Sequence, residues 1–468
     1  MTKGLQPYPE YKYSGVSWLG QVPAHWPEKR AKYYFKEIDE RSQTGDEEML
    51  SVSHITGVTP RSQKNVTMFK AESNVGQKLC QPGDLVINTM WAWMSALGVS
   101  KHAGIVSPSY GVYRLRDCQD YDFYYLDHLL RIEGYRSEYI CRSTGIRSSR
   151  LRLYPDKFLS MPVICPPQDE QKTISRFLNA QDQLFRKFIL NKRRLIELLK
   201  EQKQNIINQV VTRGLDPNVK LKPSGVEWIG DIPAHWEIAP LKHLVSINSR
   251  VLPESTDENY AFKYFDISSV CTGSLVGQPE TLRFGQAPSR ARRILRKGDT
   301  ILSTVRTYLK AVYYVSDEVE DWIASTGFAA LTPKEKIHPP FLGLLIQSDN
   351  FINRVIRESI GVAYPAIAET KLGTLHLAYP KSIDEQQEIL EYIADSSKAI
   401  DQAITRAERE IELIREYRTR LISDVVTGKV DVRGIEVPEI FDEKFHAPDG
   451  VSEVDEIVDG ELETEVEG

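Results

Sequence analysis

Residues 14–26 read SGVSWLGQVPAHW and residues 224–236 read SGVEWIGDIPAHW, with nine of thirteen positions identical. The two stretches lie 210 positions apart. That is far beyond the roughly 20 to 50 residues of a solenoid repeat, so it marks duplication of a whole domain. Other matches keep nearly the same offset: Leu79, Gly83 and Asp84 answer Leu295, Gly298 and Asp299, and Asp169-Glu170-Gln171 answers Asp384-Glu385-Gln386. Ile206-Ile207 with Val210-Val211-Thr212 answers Leu421-Ile422 with Val425-Val426-Thr427. Each copy therefore runs through an opening motif, a stretch of short segments rich in β-branched and aromatic residues, and one long helix. The opening motif precedes the first globule and also follows the first helix. The second helix followed by the N-terminus would thus continue the pattern if the ends met, which predicts a circular, pseudo-twofold arrangement. Strands are expected at 84–88, 111–115, 300–304 and 311–315, and helices at 125–136 and 340–358. Trp18, Trp26, Trp228 and Trp236, with the recurring His25 and His235, read as anchors of the motif against the helices.

Over residues 169–211 the apolar side chains Ile174, Leu178, Phe185, Phe188, Leu195, Leu199, Ile206 and Val210 follow a heptad-like 3-4 spacing. Residues 384–426 repeat it with Ile389, Ile393, Ile400, Ala403, Ala407, Ile414, Leu421 and Val425. Such a stripe requires a partner helix. At ~1.5 Å per residue each helix spans ~65 Å. Two equal helices separated by a globule pair most simply side by side and antiparallel, which makes them a spacer between two globules. A rigid separation of two similar readers suits a DNA duplex, whose half-sites lie a fixed number of turns apart.

The net charge of −6 hides an asymmetry. From Gly434 onward there are thirteen acidic residues and one basic residue, Lys444, so this tail carries −12 and the rest of the chain about +6. The tail, 434–468, reads as a disordered solubilising extension. Cys80, Cys118, Cys141, Cys165 and Cys271 are odd in number and never form a C-x-x-C pair, which argues against a disulfide framework or zinc site and predicts buried thiols. No apolar run reaches membrane-spanning length and the N-terminus lacks a leader pattern, so a cytoplasmic protein without a membrane partner is expected.

Catalytic patterns are weak. Pro155-Asp156 followed by Glu170-Gln171-Lys172 has the residue types of a metal-dependent nuclease, but Glu170 opens a long helix and the second copy, Glu385-Gln386-Gln387, has no lysine. His338-Pro339-Pro340-Phe341 is similar to an amino-methyltransferase loop, with histidine where an amide is needed. Glycine-rich nucleotide cradles are missing. What remains is DNA-contact chemistry, with arginine and lysine for phosphates, polar side chains for base edges and aromatics for stacking. In the first globule the candidates are Asn88, Trp91 and Trp93 after a strand, and Arg142, Thr144, Arg147, Ser148 and Arg150 in the run CRSTGIRSSRLR at 141–152. In the second, Arg306, Tyr308 and Lys310 take the post-strand place, joined by Arg290, Arg292 and Tyr364. Unlike loops on a duplicated frame predict an asymmetric DNA site.

Over residues 13–431 the chain resembles the specificity subunit of type I restriction-modification systems. The likeness is carried by the paired S-G-V-x-W-x-G-x-x-P-x-H-W motifs, by the lead-in from Pro167 to Gln171 with its partner PKSIDEQ from Pro380, and by the two terminal helices. It implies an α+β fold with two mixed α/β target-recognition domains, separated by two long antiparallel coiled-coil helices in a circular pseudo-twofold repeat. The expected boundaries are 1–167 for the first recognition domain, 168–212 for the central helix, 213–383 for the second domain and 384–428 for the distal helix. The resemblance further implies a non-catalytic DNA-reading subunit that binds double-stranded DNA, two modification subunits and two restriction subunits. It places no cofactor on this chain: S-adenosylmethionine for adenine methylation, ATP and Mg would belong to the partners. The competing expectation is a coiled-coil scaffold that holds two protein-binding modules apart.

Overall fold

Short β-branched and aromatic runs, bounded by turn residues, build one four-stranded antiparallel sheet in each half of the chain. The structure, a computed structural model, describes residues 5–63, 73–145 and 151–437. In the first half the strand order is Phe35–Ile38, Gly111–Leu115, Leu85–Ile87, Leu97–Val99. In the second it is Val245–Ile247, Phe328–Pro333, Thr300–Ser303, Val312–Tyr314. Order and direction coincide, so the duplication extends to topology.

The chain divides into two compact units, one made of 1–191 with 410–468 and the other of 192–409. Each carries a helix pair after its sheet: Phe123–Arg131 with Glu133–Arg142, and Pro339–Ile346 with Asp349–Glu358. The sequence reads each pair as a single helix. The break comes where Ile132 (φ −68, ψ 155) or Ser348 (φ −62, ψ 141) turns extended. Each unit also has its own apolar core. Phe35, Tyr113, Tyr121, Tyr125 and Phe158 fill the first, and Leu302, Phe341, Leu342, Phe351 and Leu377 the second. The second unit also has a mixed sheet, Glu280–Arg283, Ala261–Phe265, Trp322–Ser325, Ala291–Ile294, with its two central strands parallel. The first unit repeats that order with Gly57–Pro60, Leu50–Ser53, Gly104–Val106 and Lys78–Cys80, two antiparallel pairs joined by the parallel bridge of Met49 with Ile105.

The long helices are Gln168–Arg213 and Ile383–Val426. Within the first unit their segments run antiparallel, with Arg418 Nε donating to Asp182 Oδ1 at 2.6 Å and Phe185 and Tyr417 edge to face at 5.9 Å. Within the second, Lys203 pairs with Asp401 at 2.7 Å. The most regularly buried positions are Ile174, Phe185, Ile196 and Ile207 on one helix and Ile389, Ile400 and Ile411 on the other. On the first helix their period is eleven residues, whereas on the second Ile393, Ile400, Ala407 and Leu421 are buried at the seven-residue spacing. A seven-residue count drifts off the face of a straight helix by ~20° per heptad, whereas eleven residues complete three turns. Leu195, assigned inward by the heptad reading, is accordingly 41% exposed, and Ile196 takes the buried place at 9%.

Each helix stops at a glycine in the left-handed region, Gly214 (φ +76) and Gly428 (φ +75), where a side chain is strained. In the first unit the segment after Gly428 meets the chain start: Asp431 N donates to Gln6 O at 2.7 Å and Tyr11 OH to Gly428 O at 3.1 Å. The strand pair Tyr11–Tyr13 with Gln21–Pro23 then repeats Leu221–Pro223 with Asp231–Pro233, which follows the first helix without a chain break. This is the closure expected of a circular repeat. The thiols correct the sequence reading in part: Cys80 and Cys165 are buried, and burial pushes Cys80 up to about 11, but Cys118, Cys141 and Cys271 are exposed because they sit on loop, helix or edge-strand surfaces. Among the described residues no helix is long and apolar enough to cross a membrane.

Candidate nucleic-acid interface

The site rests on a frame that the repeated Asp-Glu-Gln motif builds twice. At the start of the first long helix, Glu170 accepts from His25 Nε2 at 2.6 Å, Trp26 Nε1 at 3.0 Å and Tyr8 OH at 3.2 Å, with Arg433 Nη1 at 3.5 Å. At the start of the second, Glu385 accepts from His235 Nε2 and from Trp236 Nε1, both at 2.9 Å. Both tryptophans are fully buried, so each indole N–H needs this carboxylate. Burial, reinforced by the charge of Glu170, raises the Tyr8 hydroxyl far above the usual tyrosine range. The next residue pins the helix pair of each unit. Gln171 accepts from Asp122 N at 2.8 Å, and Gln386 accepts from His338 N at 2.7 Å.

The recurring Gly-Asp step has a similar task. Asp84 is buried and binds Arg114 through two bonds of 2.8 and 2.9 Å; Asp299 is buried, pairs with Arg250 and accepts from Thr332 at 2.8 Å. The residues of the nuclease-like pattern are thereby separated in role. Glu170 is engaged by the opening motif, while Asp156 is exposed on the short helix Pro155–Leu159, 3.6 Å from Lys157. His338 stands at the N-cap of Pro339–Ile346, bound through its backbone to Gln386.

Two loops meet at the same end of each sheet. In the first unit Leu153 N donates to Thr89 O at 2.9 Å, and Thr144 and Arg152 exchange backbone bonds of 3.0 Å, so the described ends of the segment after Glu133–Arg142 are tied to each other and to the turn after Leu85–Ile87. Asn88 is buried there, donating to Tyr110 OH at 3.3 Å and accepting from Met90 N at 3.2 Å. Trp91 and Trp93 are half-buried, and Trp93 Nε1 donates to Met90 O at 3.0 Å. Arg142 is held by Glu138 at 2.6 Å, and Thr144 is exposed. Arg147, Ser148 and Arg150 lie outside the described residues.

In the second unit the same meeting is made by different side chains. Ile367 N donates to Thr304 O at 2.9 Å and Arg306 N to Pro365 O at 2.8 Å. Arg306 lies over the Tyr364 ring at 4.7 Å, and both are exposed. Tyr308 is exposed beside them, and Lys310 is half-buried with its carbonyl accepting from Thr272 at 2.7 Å. Arg306 and Lys310 both have φ of +53, a left-handed backbone that costs a non-glycine residue of order 1 kcal/mol. Arg290 donates to Tyr264 OH at 3.1 Å and its carbonyl accepts from Thr326 N at 2.7 Å; Gly327 in turn binds Thr304, so Arg290 adjoins the two loops. Arg292 is half-buried over Phe284 at 4.9 Å. The second unit therefore brings Arg290, Arg306, Tyr308, Lys310 and Tyr364 to one end, with Arg292 further along the mixed sheet.

Comparison with known proteins finds one recurring similarity. Residues 233–413 match the type I restriction modification DNA specificity domain. The chain is 25% identical over 323 residues to the type I restriction enzyme MjaVIII specificity subunit of Methanocaldococcus jannaschii, covering 67% of this chain and 72% of that one. It is 25% identical over 321 residues to the putative MjaX specificity subunit of the same organism, covering 66% and 68%. A solved chain from work on complex assembly and conformational transition of the type I R-M system superposes with a TM-score of 0.58 at 14% identity, over 86% of this chain and 98% of that one.

Proposed function

The chain belongs to the family of type I restriction-modification specificity subunits, and on that premise we propose that its two units read the two halves of one asymmetric, bipartite DNA site. The observation that carries this reading is the pair of converging loops at the same end of two matching sheets, built from unlike side chains. Equal frames place two readers alike, and unlike loops give them different sequences. Cationic side chains at the loops, Arg290, Arg306 and Lys310 in the second unit, supply the phosphate and guanine contacts that DNA demands.

The two long helices then set the unread gap and dock two modification subunits, with two restriction subunits completing the assembly. The chemistry stays with those partners: S-adenosylmethionine, ATP and Mg bind there, and this chain is non-catalytic and cytoplasmic. The division into recognition domains 1–167 and 213–383, spacers 168–212 and 384–428 and an acidic tail 434–468 follows from the same reading. Footprinting of the chain assembled with modification subunits tests it. Two protected blocks separated by an unprotected gap are expected. Tight assembly with no protected DNA would favour a scaffold that merely holds protein-binding modules apart.

A further inference from the structure

The loop after Asp349–Glu358 is closed by paired backbone bonds, Ile360 N to Ala366 O at 2.9 Å and Ala366 N to Ile360 O at 3.0 Å. Between and at these anchors Val362 is fully exposed, Ile360 is 85% exposed and Tyr364 is 62% exposed. The sequence marks the run Ser359-Ile360-Gly361-Val362-Ala363-Tyr364 as a DNA-contact loop with Tyr364 as its candidate side chain, and the run carries apolar side chains beside it. Large apolar side chains kept together in water on a braced loop mark a contact surface. The brace is double, because Thr307 Oγ1 and Ser359 Oγ are also bonded at 2.8 Å.

Arg306 defines what the surface contacts. Among the described residues it forms no ion pair, and its guanidinium lies 4.7 Å from the Tyr364 ring centroid. A stacked guanidinium has one face covered and its orientation restricted, with its N–H groups left for a planar acceptor pair. An apolar protein partner would bury that charge without a carboxylate, whereas the guanine O6 and N7 edge accepts it directly. The methyl-bearing side chains beside it match the 5-methyl group that marks thymine in the major groove.

Resting on the DNA-reading proposal above, we propose that Arg306, oriented by Tyr364, reads a guanine in the half-site of the second unit, and that Val362 with Ile360 covers the methyl group of a nearby thymine. Val362 is thereby a specificity-determining residue. The test uses the full chain assembled with modification subunits, on a duplex that this assembly selects from a random pool. Deoxyuridine and 7-deazaguanine are scanned through both blocks of the selected sequence. In one block, one deoxyuridine should weaken binding about four-fold, the value of one buried methyl group, and lose its effect in Val362→Ala. One 7-deazaguanine in the same block should weaken binding roughly ten-fold and lose its effect in Arg306→Ala. Undiminished penalties in these variants would overturn the assignment while leaving DNA reading intact, as would a Val362→Ala variant that loses only modification subunits. Selection of no sequence at all would instead remove the DNA-reading proposal and this one with it.

Discussion

Glu170 and Glu385 open the two long helices in the same way, yet Glu170 gathers Tyr8, His25, Trp26 and Arg433 while Glu385 gathers His235 and Trp236. The extra partners come from the two ends of the chain. In the first unit Tyr8 and Arg433 stack at 4.7 Å and close a junction that peptide bonds already make in the second. The difference teaches that the frame is one design solved twice, once covalently and once through a carboxylate. Removal of that carboxylate should therefore be unequal. Glu170→Ala leaves the buried Trp26 indole N–H and the buried Tyr8 hydroxyl without their acceptor and should cost about 3–4 kcal/mol, against about 2 kcal/mol for Glu385→Ala, which strands one indole. Hydrogen exchange under urea, followed separately in each unit, measures both, and equal losses would remove the distinction.

A second contrast concerns the opening motif. Trp18 packs on Tyr135, donates to Glu138 at 3.1 Å and occupies the space that any side chain at Gly134 would need. Trp228 faces Phe351 at 6.4 Å, and the position matching Gly134 carries Asn350, which is exposed. Gly134→Ala should accordingly destabilise the first unit by about 1–3 kcal/mol through overpacking, and Asn350→Ala should change the second by no more than about 0.5 kcal/mol. Thermal melts of the two variants rank them.

The loops invert this logic, because there strain is kept. Arg306→Gly relieves a left-handed arginine, so the stability of the second unit should stay within about 1 kcal/mol of native or rise, while DNA affinity falls. A matched loss of stability and affinity would make Arg306 a structural residue.

The smallest expected effect is acidic. Burial alone would raise Asp431, but its bonds to Arg433 hold it below the usual carboxylate range. A depressed folded value contributes stability above the unfolded pKa, and that contribution is lost as pH falls through the folded value. The amide of Asp431, bound to Gln6, should thus lose protection relative to its intrinsic exchange rate as pH falls through the acidic carboxylate range, and the continuous chain at 214–223 should not follow. A pH-independent Asp431 amide would show that the junction does not depend on this carboxylate.

Much of this frame was legible in the residues. Repeated motifs 210 positions apart fix the order of elements, and recurring His-Trp and Asp-Glu-Gln signalled that both were kept for a reason. The contact between them was not legible, since Trp26 and Glu170 are separated by 144 residues and nothing local links an indole to a carboxylate. The eleven-residue period escaped because Leu195 and Ile196 are adjacent and equally apolar; only burial decides between them. At the candidate site, composition selected polar and aromatic loop residues as a class but could not tell buried Asn88 from exposed Tyr364.

The central claim, one frame with two unlike readers, is tested most directly by the DNA sequence that the chain selects when assembled with modification subunits. Two blocks of different sequence at a constant unread separation are expected. Two identical inverted blocks, or one continuous block, would contradict it.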